Sequence, residues 1–339
     1  MRNSCRTARL TVLSIVLIAL RVGAQYREAG TTVFDFLKIN YSAREIAMAG
    51  ASVGMPSGLD GFHANPAVLG YIEHTAGLLG YRRHLLDVWA GMVAGGMPVK
   101  DYGFFSISAI DLSGGTVDET ISDNGLPRET GAVWRDNSVA GGLSWGRIVW
   151  EKLSVGASIK GVYHYMGSSG HHYSADGFAV DAGAQYRLMK GRFITGLVAR
   201  NIGMLRSNYA DYLDDYPLPS AVCAGFSYVP RYVPDLRLAL DVEKVRGNYV
   251  EFEPGVEVAV FEKLLFLRGG FSFSDKDFAE KIVKSIRGEA DEDYQKSNWS
   301  TACVELGIDT RTKGADIEVD AALEFHTMIT PSVAVTVLM

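Results

Sequence analysis

From about residue 75 to residue 339 the chain consists of short segments in which apolar and polar side chains alternate. The connections alternate as well, a tight turn and then a long stretch. A period of two marks strands with two unlike faces, and the sorting of connection lengths narrows the choice of fold further. A soluble sandwich has no reason to keep every long connection on one side, whereas barrels of the outer-membrane type put short turns in the periplasm and long loops outside. Segments near 75–83, 87–98, 101–112, 136–147, 151–163, 174–187, 191–202, 219–229, 234–244, 251–262, 264–274, 298–310, 314–326 and 330–339 make fourteen expected strands, an even number that returns both ends to the periplasm. Connections after even-numbered strands are short, such as Val99-Lys100 and Lys263. The long ones, 113–135, 164–173, 203–218 and 275–297, all follow odd-numbered strands. The expected fold is therefore all-β: a fourteen-stranded antiparallel transmembrane β-barrel over residues 75–339.

The alternation gives each strand a lipid face and a lumen face. Leu153, Val155, Ala157, Ile159 and Tyr163 oppose Ser154, Ser158 and Lys160; Leu236, Leu238, Leu240 and Val242 oppose Arg237, Asp241 and Glu243. In the next-to-last strand Ile317, Val319, Leu323 and Phe325 oppose Asp316, Glu318, Asp320, Glu324 and His326. An Arg or Lys on the lipid face near mid-bilayer costs about 2–4 kcal/mol, so the polar rows must turn inward. Val333, Val335, Val337 and Met339 carry the apolar row to the last residue, as in a chain that ends by closing a barrel.

The first residues have the form of a secretory leader over 1–24. Arg2, Arg6 and Arg9 are basic, Leu10 to Leu20 is apolar, and Val22-Gly23-Ala24 supplies small residues for cleavage. The apolar run is shorter than the ~20 residues a spanning helix needs, and Arg21 closes it. Cys5 lies ahead of the cleavage point and is therefore not a lipid-bearing cysteine of a mature protein. Mean hydropathy is +0.06, which a barrel tolerates because only alternate residues meet lipid. Loss of four leader arginines takes the basic count from 33 to 29 against 39 acidic residues, a balance that excludes a nucleic-acid partner requiring a basic face. Cys223 and Cys303 fall on separate expected strands and read as small buried residues, unbridged.

Residues 25–74 lack the strand rhythm and contain a helical stretch, Ser42 to Ala49, followed by Leu59 to Leu69. A barrel of this size is wider than wall side chains fill, so this segment is expected to fold into the lumen as a hatch. Within it, Asn65-Pro66-Ala67 suits a buried turn, because Pro66 holds its predecessor extended and the Asn amide can bond nearby backbone.

No enzyme chemistry is expected. Gly142-Leu143-Ser144-Trp145-Gly146 matches the nucleophile-elbow pattern but sits inside a glycine-rich strand, where the required strand-to-helix turn is missing. His171-His172 has no carboxylate or thiol at ligand spacing, so neither a metal nor a cofactor is expected. The lumen carboxylates Glu253, Glu257, Glu305, Asp309, Glu318 and Asp320 read as a network paired with Lys160, Arg187, Arg237 and Arg268. In the long loop 275–297, Phe278, Ile282 and Ile286 recur at helical spacing; in 203–218, Tyr209, Tyr212 and Tyr216 stand among Asp211, Asp214 and Asp215. Both sets suit either docking to a protein partner or a lid over the barrel mouth.

An ordered set of short motifs spans nearly the whole mature chain. It runs from Ala29-Gly30-Thr31-Thr32 and Phe36-Leu37-Lys38-Ile39, through Ser42-Ala43-Arg44 with Ala47-Met48-Ala49-Gly50-Ala51, to Asn65-Pro66-Ala67. It continues with Gly114, Glu119-Thr120, Ala199-Arg200-Asn201-Ile202-Gly203, Leu218-Pro219 and Leu267-Arg268-Gly269-Gly270. In this order the chain resembles the PorV/PorQ family within the wider FadL-like barrels, with Asn201 and Gly203 at family motif positions. It departs from the family at Ala49, where Gly is common, at Ala64, where an aromatic is common, and at Val68. The resemblance implies a non-enzymatic outer-membrane barrel in contact with lipid. It would act as an adaptor or attachment component of type IX secretion, with secreted cargo or with translocon and attachment-complex proteins as partners. The alternative is FadL-like passage of a hydrophobic small molecule.

Overall fold

A computed structural model describes residues 32–83, 88–123, 126–168, 170–209, 216–262, 264–274, 301–312, 315–325 and 331–338, with side chains through Ser274. The leader 1–24 and residues 25–31 lie outside the described residues. Among the described residues fourteen antiparallel strands form a closed sheet. They are β1 (Ala76–Arg83), β2 (Trp89–Val99), β3 (Gly103–Asp123), β4 (Leu126–Trp150), β5 (Leu153–Gly167), β6 (His172–Leu188) and β7 (Phe193–Ser207). The second half comprises β8 (Ala221–Tyr228), β9 (Leu236–Val245), β10 (Val250–Val260), β11 (Leu265–Ser274), β12 (Thr301–Thr312), β13 (Ala315–Phe325) and β14 (Pro331–Leu338). Each pairs with its sequence neighbours, and β14 closes on β1 through rungs from Leu78 opposite Leu338 to Arg83 opposite Val333.

The apolar rows point out. Ile107 (66% exposed), Leu143 (64%) and Ile159 (62%) form a greasy outer band, while Ser154, Ser158, Lys160 and Asp241 on the other parity are buried within. Among the described residues no helix is long and apolar enough to cross a membrane. At the end bearing the tight turns, exposed Tyr102, Trp150, Tyr232 and Phe261 make an aromatic rim of the kind that marks a membrane interface.

The long connections differ from expectation. Residues 113–135 are no loop: β3 and β4 run on as a two-stranded ribbon, paired as far as Asp123 opposite Leu126. β2 reaches only Ser113 and β5 reaches only Arg135, so beyond those rungs β3 and β4 pair with each other alone among the described residues. Two register shifts, between Ser113 and Thr116 and between Asp118 and Thr120, break the alternation there and hide the strands from a period-two reading. Likewise β5 and β6 extend into 164–173, and β7 extends into 203–218 as far as Ser207.

The hatch fills the lumen from one mouth to the other. Its described part starts at the end bearing the long connections, the outer end, where the Val33 amide donates to the Pro217 carbonyl (3.1 Å), and finishes at the tight-turn end, where the Tyr71 hydroxyl donates to the Lys152 carbonyl (3.0 Å). Between these points it consists of short helical turns: 3₁₀ turns at Asp35–Lys38, Leu59–Gly61 and Pro66–Tyr71, and the helix α1 (Ala43–Ala47). Segments this short have little stability of their own and are held by the walls around them. At Gly156 the wall and hatch backbones nearly touch; a Cβ there would come within 2.3 Å of the Pro66 carbonyl carbon.

Candidate functional site

The interface between hatch and wall is extensively buried, and it has two unlike halves. Toward β1–β6 it is mostly apolar. Phe34, Leu37, Leu59, Phe62, Val68 and Leu69 of the hatch pack on Leu78, Met92, Phe104, Ile110, Ala140, Val162 and Ala179 of the wall, with Leu112, Leu205 and Tyr209 at the outer end. This mostly apolar seam runs from the outer mouth to the tight-turn end, crossed by two wall side chains, Arg82 donating to the Asn40 carbonyl (2.8 Å) and Ser154 to the Ala67 carbonyl (2.7 Å).

Toward β6–β11 the hatch is hydrogen-bonded. The Asp241 carboxylate accepts from the amides of Ser52 (2.9 Å) and Val53 (2.8 Å). The Ser227 hydroxyl donates to the Gly54 carbonyl (2.7 Å), and the Gln185 amide donates to the Met55 carbonyl (2.8 Å). Arg44 reaches from α1 to Glu257 (2.9 Å), which also holds Arg268 (2.8 Å). These bonds satisfy backbone groups that short, irregular segments leave unpaired. They form a polar lock.

Asn65, Pro66 and Ala67 sit where the two halves meet. Asn65 is fully buried; its side-chain oxygen accepts from the Ala67 amide (3.1 Å), and its NH₂ donates to the carbonyls of Val53 and Ala184 (both 3.3 Å). Pro66 at the first helical position has no amide to satisfy. The motif thus starts the last hatch turn and ties it to both the lock and the wall.

Asn201 belongs to a bulge, and Gly203 follows it in regular register opposite Ala179. Between the rungs Val180 opposite Ile202 and Ala182 opposite Ala199, β7 carries an extra residue, and Asn201 takes φ 55°. As a result Arg200 and Asn201 both turn inward although adjacent, while Ile202 returns to the lipid side at 56% exposed. Asn201 accepts from the Lys160 ammonium (2.5 Å) and its amide donates to Asp181 (2.8 Å); Lys160 and Asp181 form a buried pair at 2.9 Å. Gly203 leaves room for the neighbouring strand, since a Cβ there would fall 1.9 Å from the Phe178 carbonyl oxygen.

The lumen charges are paired for the most part as expected, Arg268 and Arg237 on Glu257 and Lys160 on Asp181, with Arg200 on Glu243 in addition. Arg187 is an exception: it lies over the Tyr71 ring at 3.3 Å rather than on a carboxylate. Burial outweighs that cation and raises the Tyr71 phenol above its ordinary value. Complete burial lifts the Glu45 carboxyl on α1 to about 8, against the nearby positive charge of Arg200. The side chains of Glu305, Asp309, Glu318 and Asp320, and of Cys303, lie outside the described residues. Cys223 is buried and free.

Of the aromatic loop residues, Tyr209 is turned inward. Its hydroxyl meets His164 Nδ1 (2.5 Å), and His164 Nε2 meets Asp136 (2.6 Å), which ties Tyr209 to the walls of the mouth. Burial, then the nearby Asp136, pushes the Tyr209 phenol up to about 12. Tyr216 is exposed, and Tyr212, Phe278, Ile282 and Ile286 fall outside the described residues. Ser144 lies mid-strand on β4, with no elbow around it, and His172 opens β6 stacked on Tyr165 (6.4 Å).

No family profile and no curated protein matches the chain. Among solved structures, the Pseudomonas putida toluene transporter TodX superposes with a TM-score of 0.59 at 13% identity, covering 88% of this chain and 96% of its own. The fold is FadL-like. A TodX ΔS2S3 mutant, described as a monoaromatic hydrocarbon channel, gives a TM-score of 0.61 at 12% identity, over 88% of this chain and 97% of its own. A Pseudomonas aeruginosa FadL homologue gives 0.49 at 12% identity, over 88% and 97%. At these identities the likeness concerns the backbone. Asp241, Gln185, Ser227 and His63, which make up much of the interface, escape a reading of sequence motifs; parity alone places the first three inside.

Proposed function

We propose that this chain is a non-enzymatic outer-membrane passage for small apolar molecules, with the hatch as its gate. The observation that carries this reading is the continuous apolar seam between hatch and β1–β6, set against a polar lock on the other side. A gate hinged on the lock opens at the seam, where the contact is mostly apolar packing that an apolar solute can replace, with the bonds of Arg82 to the Asn40 carbonyl and of Ser154 to the Ala67 carbonyl as polar ties to β1 and β5. The toluene transporter named above shares the fold and supports the same direction. Uptake of radiolabelled toluene by cells that carry the protein in their outer membrane tests the reading, with Val162→Glu placing a charge in the seam. Uptake above that of vector-only cells, abolished by Val162→Glu in a folded barrel, is the expected result. Uptake equal to vector, or indifferent to Val162→Glu, would refute it.

A second reading, adaptor work in protein secretion as in PorV/PorQ-type barrels, draws support from the β3–β4 ribbon. At ~3.3 Å per residue its stretch 114–123 reaches about 30 Å past the last β2 rung. Unpaired strand edges of this kind recruit extended chains from other proteins. Cross-linking in the native outer membrane, followed by identification of partners, supports this reading if secreted proteins are captured by the full chain and lost when residues 116–134 are deleted. Equal capture by both forms would reject it.

A further inference from the structure

Within the apolar seam lies a polar notch. Where Phe62 and His63 of the hatch face β3–β6, a small cavity opens, lined also by Ser144, Ser158, Lys160 and Asp181, with room for about one water. His63 is 5% exposed, yet neither ring nitrogen has a hydrogen-bond partner, and the hydroxyl of Ser158, 3% exposed, also has none. Its contacts are edge-on aromatic ones, to Tyr41 (5.4 Å) and Phe62 (6.5 Å). Leaving such groups unpaired in a closed interior is costly, so the cavity calls for an occupant that both donates and accepts.

The charges around the cavity narrow the choice. Lys160 is already matched by Asp181 at 2.9 Å, so an anion would meet the carboxylate and a cation would meet the ammonium. Burial, reinforced by Lys160 and Arg200, holds the His63 ring well below its ordinary range; it is neutral, with one donor and one acceptor. A neutral hydroxyl matches that pair, and the Phe62 ring beside the cavity marks the space an aromatic ring would take when the seam parts.

We propose that this notch seats the hydroxyl group of an apolar solute in transit, so that the passage favours phenol-like molecules over plain hydrocarbons. The inference rests on the seam being the route, as argued above. It predicts a water in the closed state and its displacement by the solute hydroxyl.

Ligand-observed NMR on the full-length purified protein, with p-cresol and toluene as probes of nearly equal size, tests it. Wild type should bind p-cresol about tenfold more tightly than toluene. His63→Phe and Ser158→Ala should each bring p-cresol close to the toluene value without changing toluene. Ser158→Ala removes one oxygen and serves if His63→Phe does not fold. Equal binding of the two probes to wild type, or a p-cresol preference that survives both substitutions, overturns the notch and leaves the seam standing; the cavity then holds a structural water only. If neither probe binds, the seam reading fails and the notch with it.

Discussion

Replacing Asp241 by alanine should loosen the gate without harming the barrel. The carboxylate accepts two backbone amides of the hatch, at 2.9 and 2.8 Å. Hydrogen bonds to an ionised carboxylate contribute about 1.5–3 kcal/mol each, so at pH 8 the pair is worth roughly 3–6 kcal/mol before offsets. The other carboxylate oxygen is buried with no partner, a cost of about 1–3 kcal/mol that the substitution removes. The net loss is about 2 kcal/mol, which multiplies the population with a displaced hatch about 30-fold. Single-channel recording in planar bilayers reads this as a rise of that order in open probability over wild type. Asp241→Asn keeps an acceptor without the charge and should fall between the two. The reasoning is refuted if Asp241→Ala opens no more often than wild type while its barrel still shows the heat-dependent gel shift of a folded protein, since the lock would then not hold the gate.

Other consequences follow from particular contacts. Gly156→Val drives a side chain into Pro66 and Ala67, so the last hatch turn should become protease-sensitive while the barrel stays resistant; an equally protected hatch contradicts the close approach. Ala49 sits at φ 52°, a left-handed geometry costing a non-glycine residue about 1–2 kcal/mol, part of which glycine returns in chain entropy. Ala49→Gly should therefore stabilise the hatch by about 0.5–1 kcal/mol in hydrogen exchange, and no gain would count against the strain. Asn201→Ala loses the Lys160 bond and keeps the left-handed turn, so it should lower the denaturation midpoint more than Asn201→Gly; equal losses would show that the bond alone matters. Glu45 ionises near 8 in the fold against an ordinary 4.5, so the folded state holds the extra proton between those values. Its stabilising contribution is complete below about 4.5 and is lost as pH rises through 8, so hatch protection should decline from pH 5 to pH 8.5 in wild type and less in Glu45→Gln. A flat wild-type profile would show that the carboxyl is not buried as described.

Much of the wall is legible because a strand between lipid and lumen must alternate. Ile159 faces out and Lys160 faces in, as their parity demands. The ribbon at 114–134 was not legible: above the membrane neither face has to be apolar, and two bulges shift the register, so no contrast is left to read. Asn65-Pro66-Ala67 announces a turn through its own local chemistry. Asp241 announces only that it points inward, because its partners are backbone amides 189 and 188 residues away, which have no side-chain signature.

The division follows from the range over which each kind of information acts. Alternation, turn residues and the signs of charges are local properties, and they suffice to determine that this chain makes an antiparallel sheet with a greasy outside and a charged inside. Which hatch atom meets which wall atom depends on closure of the sheet, since only closure brings residue 53 against residue 241 and leaves His63 unpaired beside Ser158. The lock, the seam and the notch are therefore products of the tertiary structure, built from groups whose neighbours in sequence say nothing of their neighbours in space.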